Sequence, residues 1–233
     1  MMPDGTTLPG MATRERPILF SGPMVRALLA GRKLQTRRVI KDAPDGEWFA
    51  DRDGPGDWRW VAPEGRPTMP IRLPYAPGDR LWVREAFATY EAIRSPNPLD
   101  NIVYRADLPA TEPPITDPIT SARLLWTTAP KKWRSPIHMP RWASRLILLV
   151  TDVRVRRVTD ISGADAQAEG IVAFPRNPSD PCWGVSREGP MAETPRDAFR
   201  DLWDSLNGHR PGASWDENPW VVAYTFSVEN RDA

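Results

Sequence analysis

"GRKLQTRRV", residues 31–39, decides how the chain folds. The preceding "SGPMVRALLA" reads as a short helix: Ser21 suits a cap, Pro23 the first turn, and Gly31 the stop. Beyond Gly31 the chain becomes extended, and its side chains alternate between two faces. Leu34, Thr36 and Arg38 share one face; Gln35, Arg37 and Val39 share the other. Neither face is apolar enough for an ordinary core, and Lys33 stands at the entrance. Such a strand is expected to line a pocket.

Working outward, residues 42–74 are rich in Gly, Pro and Asp and read as a long loop with a small hairpin around residues 58–61. "APGDRLWVRE", residues 76–85, is a turn feeding a strand predicted over residues 80–87. There Leu81, Val83 and Glu85 face one way, and Trp82, Arg84 and Ala86 the other. "NIVYRAD" is a further short strand, and the Pro- and Thr-rich residues 108–130 an insertion. "RLILLVTDVRVRRV", residues 145–158, is the longest strand; its first half is apolar on both faces and belongs in the middle of the fold. Its second half sets Val153 and Val155 against Arg154 and Arg156, so one face meets solvent or a ligand.

"DISGADAQAEGI" predicts a short helix capped by Ser162, with Asp165 at the capping-box position and Gly170 as its stop. "TPRDAFRDLWDSLNG" predicts another, opened by Thr194 and Pro195, with Phe199, Leu202, Trp203 and Leu206 as its apolar stripe. "PWVVAYTFSV" predicts a half-buried strand that closes a sheet. Short helices with mostly non-helical strand connections suggest an α+β fold: a β-barrel or curled sheet with helices at its ends. An open α+β sheet is the other arrangement. Residues 1–15 read as a flexible polar lead-in, and residues 16–233 as one domain with insertions at 42–74, 108–130 and 172–193.

The formal charge of +1 hides an asymmetry: residues 131–157 carry a net +7, and residues 32–41 hold five cations and no acid. Lysine occurs only at 33, 41, 131 and 132, so arginine, whose planar fork suits phosphates and base edges, supplies most of this charge. Cys182 is the only cysteine, which excludes an internal disulfide and fits a reducing, cytoplasmic setting. With His138 and His209 the only histidines, no metal or other cofactor is expected. No segment has the run of about 18 apolar residues that a membrane span needs.

These residues together resemble a known family. "GRKLQTRRV" resembles the G-x-K-x-x-T-x-R signature of the ASCH domain family, a branch of the PUA-like β-barrel superfamily. "APGDRLWVRE", "DISGADAQAEGI" and "PWVVAYTF" resemble its later landmarks. "WRSPIHMPRWASR" and "FRDLWDSLNG" resemble a longer subgroup common in phage and prophage genomes, which would place the protein in a host cytoplasm. The resemblance implies a PUA-like barrel and one of three activities. Small members are amidohydrolases that remove acyl groups from the N4 of cytidine, using a lysine, a threonine and a glutamate. Those positions match Lys33, Thr36 and Glu169. Other members were proposed to bind RNA, and nuclease activity is a third possibility. This chain is about twice as long as the small enzymes, so its insertions could remodel the pocket.

Threonine is a weak nucleophile and needs a base. Lysine serves only when its amine is neutral, which desolvation or the charges of Arg37 and Arg38 would favour. Glu169 would hold Lys33 and help deliver a proton to the leaving amine. The plainer reading makes Thr36 a strand residue and Lys33–Glu169 a structural ion pair. Trp82, Arg84 and Glu85 could stack on a base and bond its edge. Trp133, Arg134, His138, Arg141 and Trp142 interleave aromatics with cations, as single-stranded nucleic acid sites do. The expected ligand is thus a modified pyrimidine nucleoside or a single-stranded nucleic acid; the oligomeric state stays open.

Overall fold

A five-stranded sheet organises the molecule around its longest apolar strand. The computed structural model describes residues 15–41, 43, 49–54, 57–61, 69–89, 102–108, 133–177, 180–187 and 189–230. The lead-in before residue 15, most of the 108–130 insertion, Lys131 and Lys132 lie outside the described residues. So do parts of the 42–74 and 172–193 segments.

In chain order the elements are β1 (Glu15–Leu19), α1 (Gly22–Leu29), β2 (Gln35–Val39), β3 (Phe49–Gly54), β4 (Asp57–Val61), β5 (Met69–Pro70), β6 (Arg80–Arg84), β7 (Phe87–Thr89) and β8 (Ile102–Tyr104). Then follow β9 (Leu146–Arg157), α2 (Gly163–Ala168), β10 (Val172–Asn177), β11 (Asp180–Gly184), α3 (Pro195–Asn207) and β12 (Trp220–Asn230). The main sheet has the order β1-β6-β9-β12-β2. As its two apolar faces require, β9 is central, pairing with β6 and β12. β12 does not end the sheet as expected: it is interior, hydrogen-bonded to β9 on one side and β2 on the other. The short β1, unanticipated from the sequence, adds in parallel to β6.

The expected barrel is not formed. Among the described residues the structure is a small mixed α/β domain, mostly β, with several sheets and three α-helices, and none of the sheets closes. Closure would need β1 and β2, the two ends of the strand order, to hydrogen-bond along their length. The chain between them is instead spent on α1 and the turn at Gly31. The two edges meet through a side chain: the Arg38 guanidinium donates to the Leu19 carbonyl at 2.9 Å. Other strands satisfy one another locally, in a β3-β4-β5 sheet and in β7-β8 and β10-β11 pairs, so they never extend the main sheet. The strand predicted over residues 80–87 accordingly breaks at Glu85 and resumes as β7.

The two faces of the sheet carry different partners. Leu81, Val83, Leu148, Val153, Val222, Tyr224 and Phe226 pack with Phe20, Val25 and Leu28 from α1 and its N-terminal side. On the other side Val221 joins Ala166 and Ile171 from the α2 region and Phe199 and Trp203 of α3. Among the described residues no helix is long and apolar enough to cross a membrane.

The helix ends follow their chemistry. Ser162 accepts from the Asp165 N–H and Thr194 from the Asp197 N–H, whereas Ser21 occupies the cap position of α1 without a side-chain bond. Gly31 and Gly170 have φ of +66° and +107°, the left-handed region that ends a helix. A Cβ on Gly170 would lie 3.4 Å from that of Ala27, an ordinary contact, so the backbone conformation and not space calls for glycine here. Ser162→Ala is expected to cost about 1 kcal/mol, read as a lower urea midpoint with unchanged slope. A change in slope would contradict a purely local cap.

Candidate functional site

The turn between α1 and β2 brings three remote parts of the chain together. Arg32 and Lys33 donate their backbone N–H groups to the Ala27 carbonyl, and Leu34 donates to Ala168 at 2.7 Å. That stitching lays residues 32–34 across the C-terminal end of α2. Helix-end carbonyls lack internal partners and favour cations. The Lys33 ammonium meets this need, donating to the Glu169 carbonyl at 2.9 Å and to its Oε2 at 2.8 Å.

Glu169 serves two cations. Its Oε2 takes Lys33, and its Oε1 accepts from Arg37 Nη1 at 3.1 Å. Arg37 also reaches Asp165 Oδ2 at 3.1 Å and bonds the Gln35 side-chain oxygen. Asp165 Oδ1 accepts from Arg154 at 3.0 Å and from Gln35 at 3.3 Å, and Gln35 reaches Thr225 at 3.2 Å. Lys33, Gln35, Thr36, Arg37 and Glu169 are all buried.

Burial pushes the Lys33 amine down from its ordinary value; Glu169 opposes that, while Arg38 and Arg37 add to it, and the net shift is downward. For Asp165 burial alone would raise the carboxyl, but the Arg154 hydrogen bond and the charges of Arg37 and Arg154 prevail, so it is held low. Asp165 therefore stabilises the fold above the ordinary aspartate range, and this contribution fades as pH falls through its lowered value.

The alternation of β2 separates two groups. Thr36 and Arg38 lie opposite Tyr224 and Val222, on the α1 side of the sheet. Gln35 and Arg37 point to the α2–α3 side, where the Arg37 guanidinium lies 5.7 Å from the Phe199 ring centre. Phe20 gathers the first group: Lys33 Nζ is 5.7 Å and Arg38 Cζ 5.4 Å from its ring centre. The Thr36 hydroxyl has no hydrogen-bond partner among the described residues. It and Glu169 line one cavity of about 530 Å³, with Phe20, Arg38 and the α3 residues Phe199 and Leu206.

The edge of β2 contributes backbone as well. Ile40 donates to Trp220, and Leu34 accepts from Phe226. These bonds set the phase of the antiparallel ladder, so Thr36 and Arg38 turn their backbone groups toward β12. Gln35, Arg37 and Val39 turn theirs to the open edge.

The structure thus joins Lys33 to Glu169 and sets Thr36 on the wall of the same cavity. It does not show a Thr36–Lys33 hydrogen bond. The other expected binding residues lie apart from this cluster. Trp82 is buried under Arg84, whose guanidinium stacks 4.5 Å from its ring centre. Glu85 is buried and held by Arg145 at 2.9 and 3.0 Å, and Arg145 also grips Asp107. Arg105 covers Trp133, the Arg134 backbone bridges to Phe87, and Arg141 forks onto Glu15 at 2.9 and 3.2 Å. His138 and Trp142 are exposed, on single-turn helices over Pro136–His138 and Arg141–Ala143. Only Pro136 of this segment reaches the cavity wall.

Asp165, Gln35 and Arg154 were not foreseen as members of the cluster. The spacing of Asp165 and Glu169, four residues apart at one helix end, was the available signal. Compared with family models, with curated proteins and with solved structures, the chain matches none.

Proposed function

We propose that the protein is an amidohydrolase that removes an acyl group from an N4-acylated cytosine, working as the ASCH-family enzymes its signature resembles. One observation carries the reading: a fully buried lysine with a lowered pKa, held by a glutamate, stands beside a cavity lined by a threonine whose hydroxyl has no partner among the described residues. In the reaction Thr36 Oγ attacks the acyl carbonyl and its proton passes to neutral Lys33. The tetrahedral oxyanion is met by the backbone N–H of Arg37, the residue after the nucleophile, on the open edge. Collapse breaks the C–N bond, and the leaving N4 amine takes the proton back from Lys33, steadied by Glu169. Water then hydrolyses the acyl-threonine to free carboxylate and threonine.

The nucleic-acid reading has less support, because Arg141, Arg145 and Arg154 are each neutralised by acids. The deciding experiment is hydrolysis of N4-acetylcytidine by the purified protein, with Lys33→Ala in parallel. Turnover that disappears in the variant is expected. No turnover by the folded wild type would overturn the reading.

Its pH dependence has a defined sign. Lys33 must be neutral, so kcat/KM should rise with pH and level off below the ordinary lysine value of 10.5. Removing a neighbouring cation in Arg38→Gln should move that limb to higher pH. A profile that falls as pH rises toward the ordinary lysine value would exclude Lys33 as the base.

A further inference from the structure

The cavity holds more positive charge than the proposed chemistry uses. Arg37, Arg38, Lys41 and Arg210 line it, against the single carboxylate of Glu169. That carboxylate is already taken by Lys33 and Arg37, and Arg37 is further balanced by Asp165. Arg38, Lys41 and Arg210 form no ion pair with any described residue. Arg38 donates one N–H to the Leu19 carbonyl and lays its fork against the Phe20 ring. Arg210 sits in a turn fixed by its own N–H to Asn207 and by Ala213 N–H to its carbonyl, and its charge acts on Arg38. The charge of Glu169 also reaches Arg38, but one lining carboxylate set against four cations leaves this concave site net positive, which attracts an anion, and a low-dielectric wall strengthens the attraction.

The geometry points to a phosphomonoester: the ligand of this cavity is a nucleoside monophosphate, its phosphate held by Arg38, Lys41 and Arg210. The inference rests on reading the cavity as a pocket for a cytosine-type substrate. A phosphomonoester carries nearly two charges at neutral pH and offers three acceptor oxygens, matching several donors at once. A volume of about 530 Å³ is that of a site for one small molecule. A polynucleotide would need a continuing basic track, and the acid-paired Arg141, Arg145 and Arg154 do not provide one.

The test is calorimetric binding of cytidine 5′-monophosphate, cytidine, and a cytidine dinucleotide without a terminal phosphate. The full chain and its Lys41→Ala/Arg210→Ala variant would be compared; both side chains are exposed, so the fold should persist. The monophosphate should bind the wild type at least tenfold more tightly than cytidine. That preference should fall below about threefold in the variant, and shrink with added salt. Equal affinities, no monophosphate binding, a preference that survives the double substitution, or tighter binding of the dinucleotide would each overturn the inference. Binding is read without turnover, so the two proposals fail separately. Tight monophosphate binding without hydrolysis removes the amidohydrolase alone; hydrolysis of N4-acetylcytidine with no monophosphate preference removes the phosphate site alone.

Discussion

Glu169→Ala should cost about 3–5 kcal/mol of folding stability, the penalty for leaving a buried ion-pair partner without its counter-charge. Lys33 and Glu169 have side chains only 1% and 5% exposed, and Arg37 shares the same carboxylate at 3%. Removing it strands an ammonium under Phe20 and α1, with only the residue 169 carbonyl still accepting from it. The urea midpoint should fall by more than about 1 M. Replacing both charges, as in Lys33→Met/Glu169→Leu, should restore most of the loss, since a buried pair exchanged for apolar groups of similar size is often neutral. Arg37 keeps Asp165 in that variant. A single substitution as stable as wild type would mean that Lys33 persists without its counter-charge, as a neutral amine or with water beside it. The double variant also parts structure from chemistry: it should fold and fail to turn over substrate.

Thr36→Val should lower kcat/KM on N4-acetylcytidine by at least about a thousandfold, about 4 kcal/mol of transition-state stabilisation. Valine keeps the shape and the strand preference of threonine and removes only the hydroxyl. Because the Thr36 hydroxyl has no partner among the described residues, the fold loses no hydrogen bond, so stability should change little. Thr36→Ser should retain measurable turnover. Activity of Thr36→Val near that of wild type would remove Thr36 as nucleophile and leave Lys33–Glu169 as a structural pair.

The local grammar of the chain was readable. Ser162 and Thr194 cap the helices they were assigned, because an N-cap bond spans only three residues. The apolar run of β9 announced a central strand, because two apolar faces must both be covered. The surroundings of Trp82 and Glu85 were not legible for the opposite reason. Alternation put them on different faces of one strand, but nothing local says that Arg84 lies over the tryptophan, or that Arg145, sixty residues on, closes over the glutamate.

The closed barrel failed on a similar point. Strand pattern does not reveal which strands pair, and short hairpins at β3–β4, β7–β8 and β10–β11 withdraw strands from the main sheet. The sequence by itself determined the helices, the central strand and the polar character of residues 31–39, since these follow from spacing within a few residues. Only the tertiary structure decided that the sheet stays open and that Glu169, expected to hold Lys33, also takes Arg37 across more than 130 positions. It alone decided that Arg38, Lys41 and Arg210 share a cavity whose one lining carboxylate, Glu169, is already paired with Lys33 and Arg37. Charge neutralisation is settled by proximity in space, and separation along the chain carries no record of it.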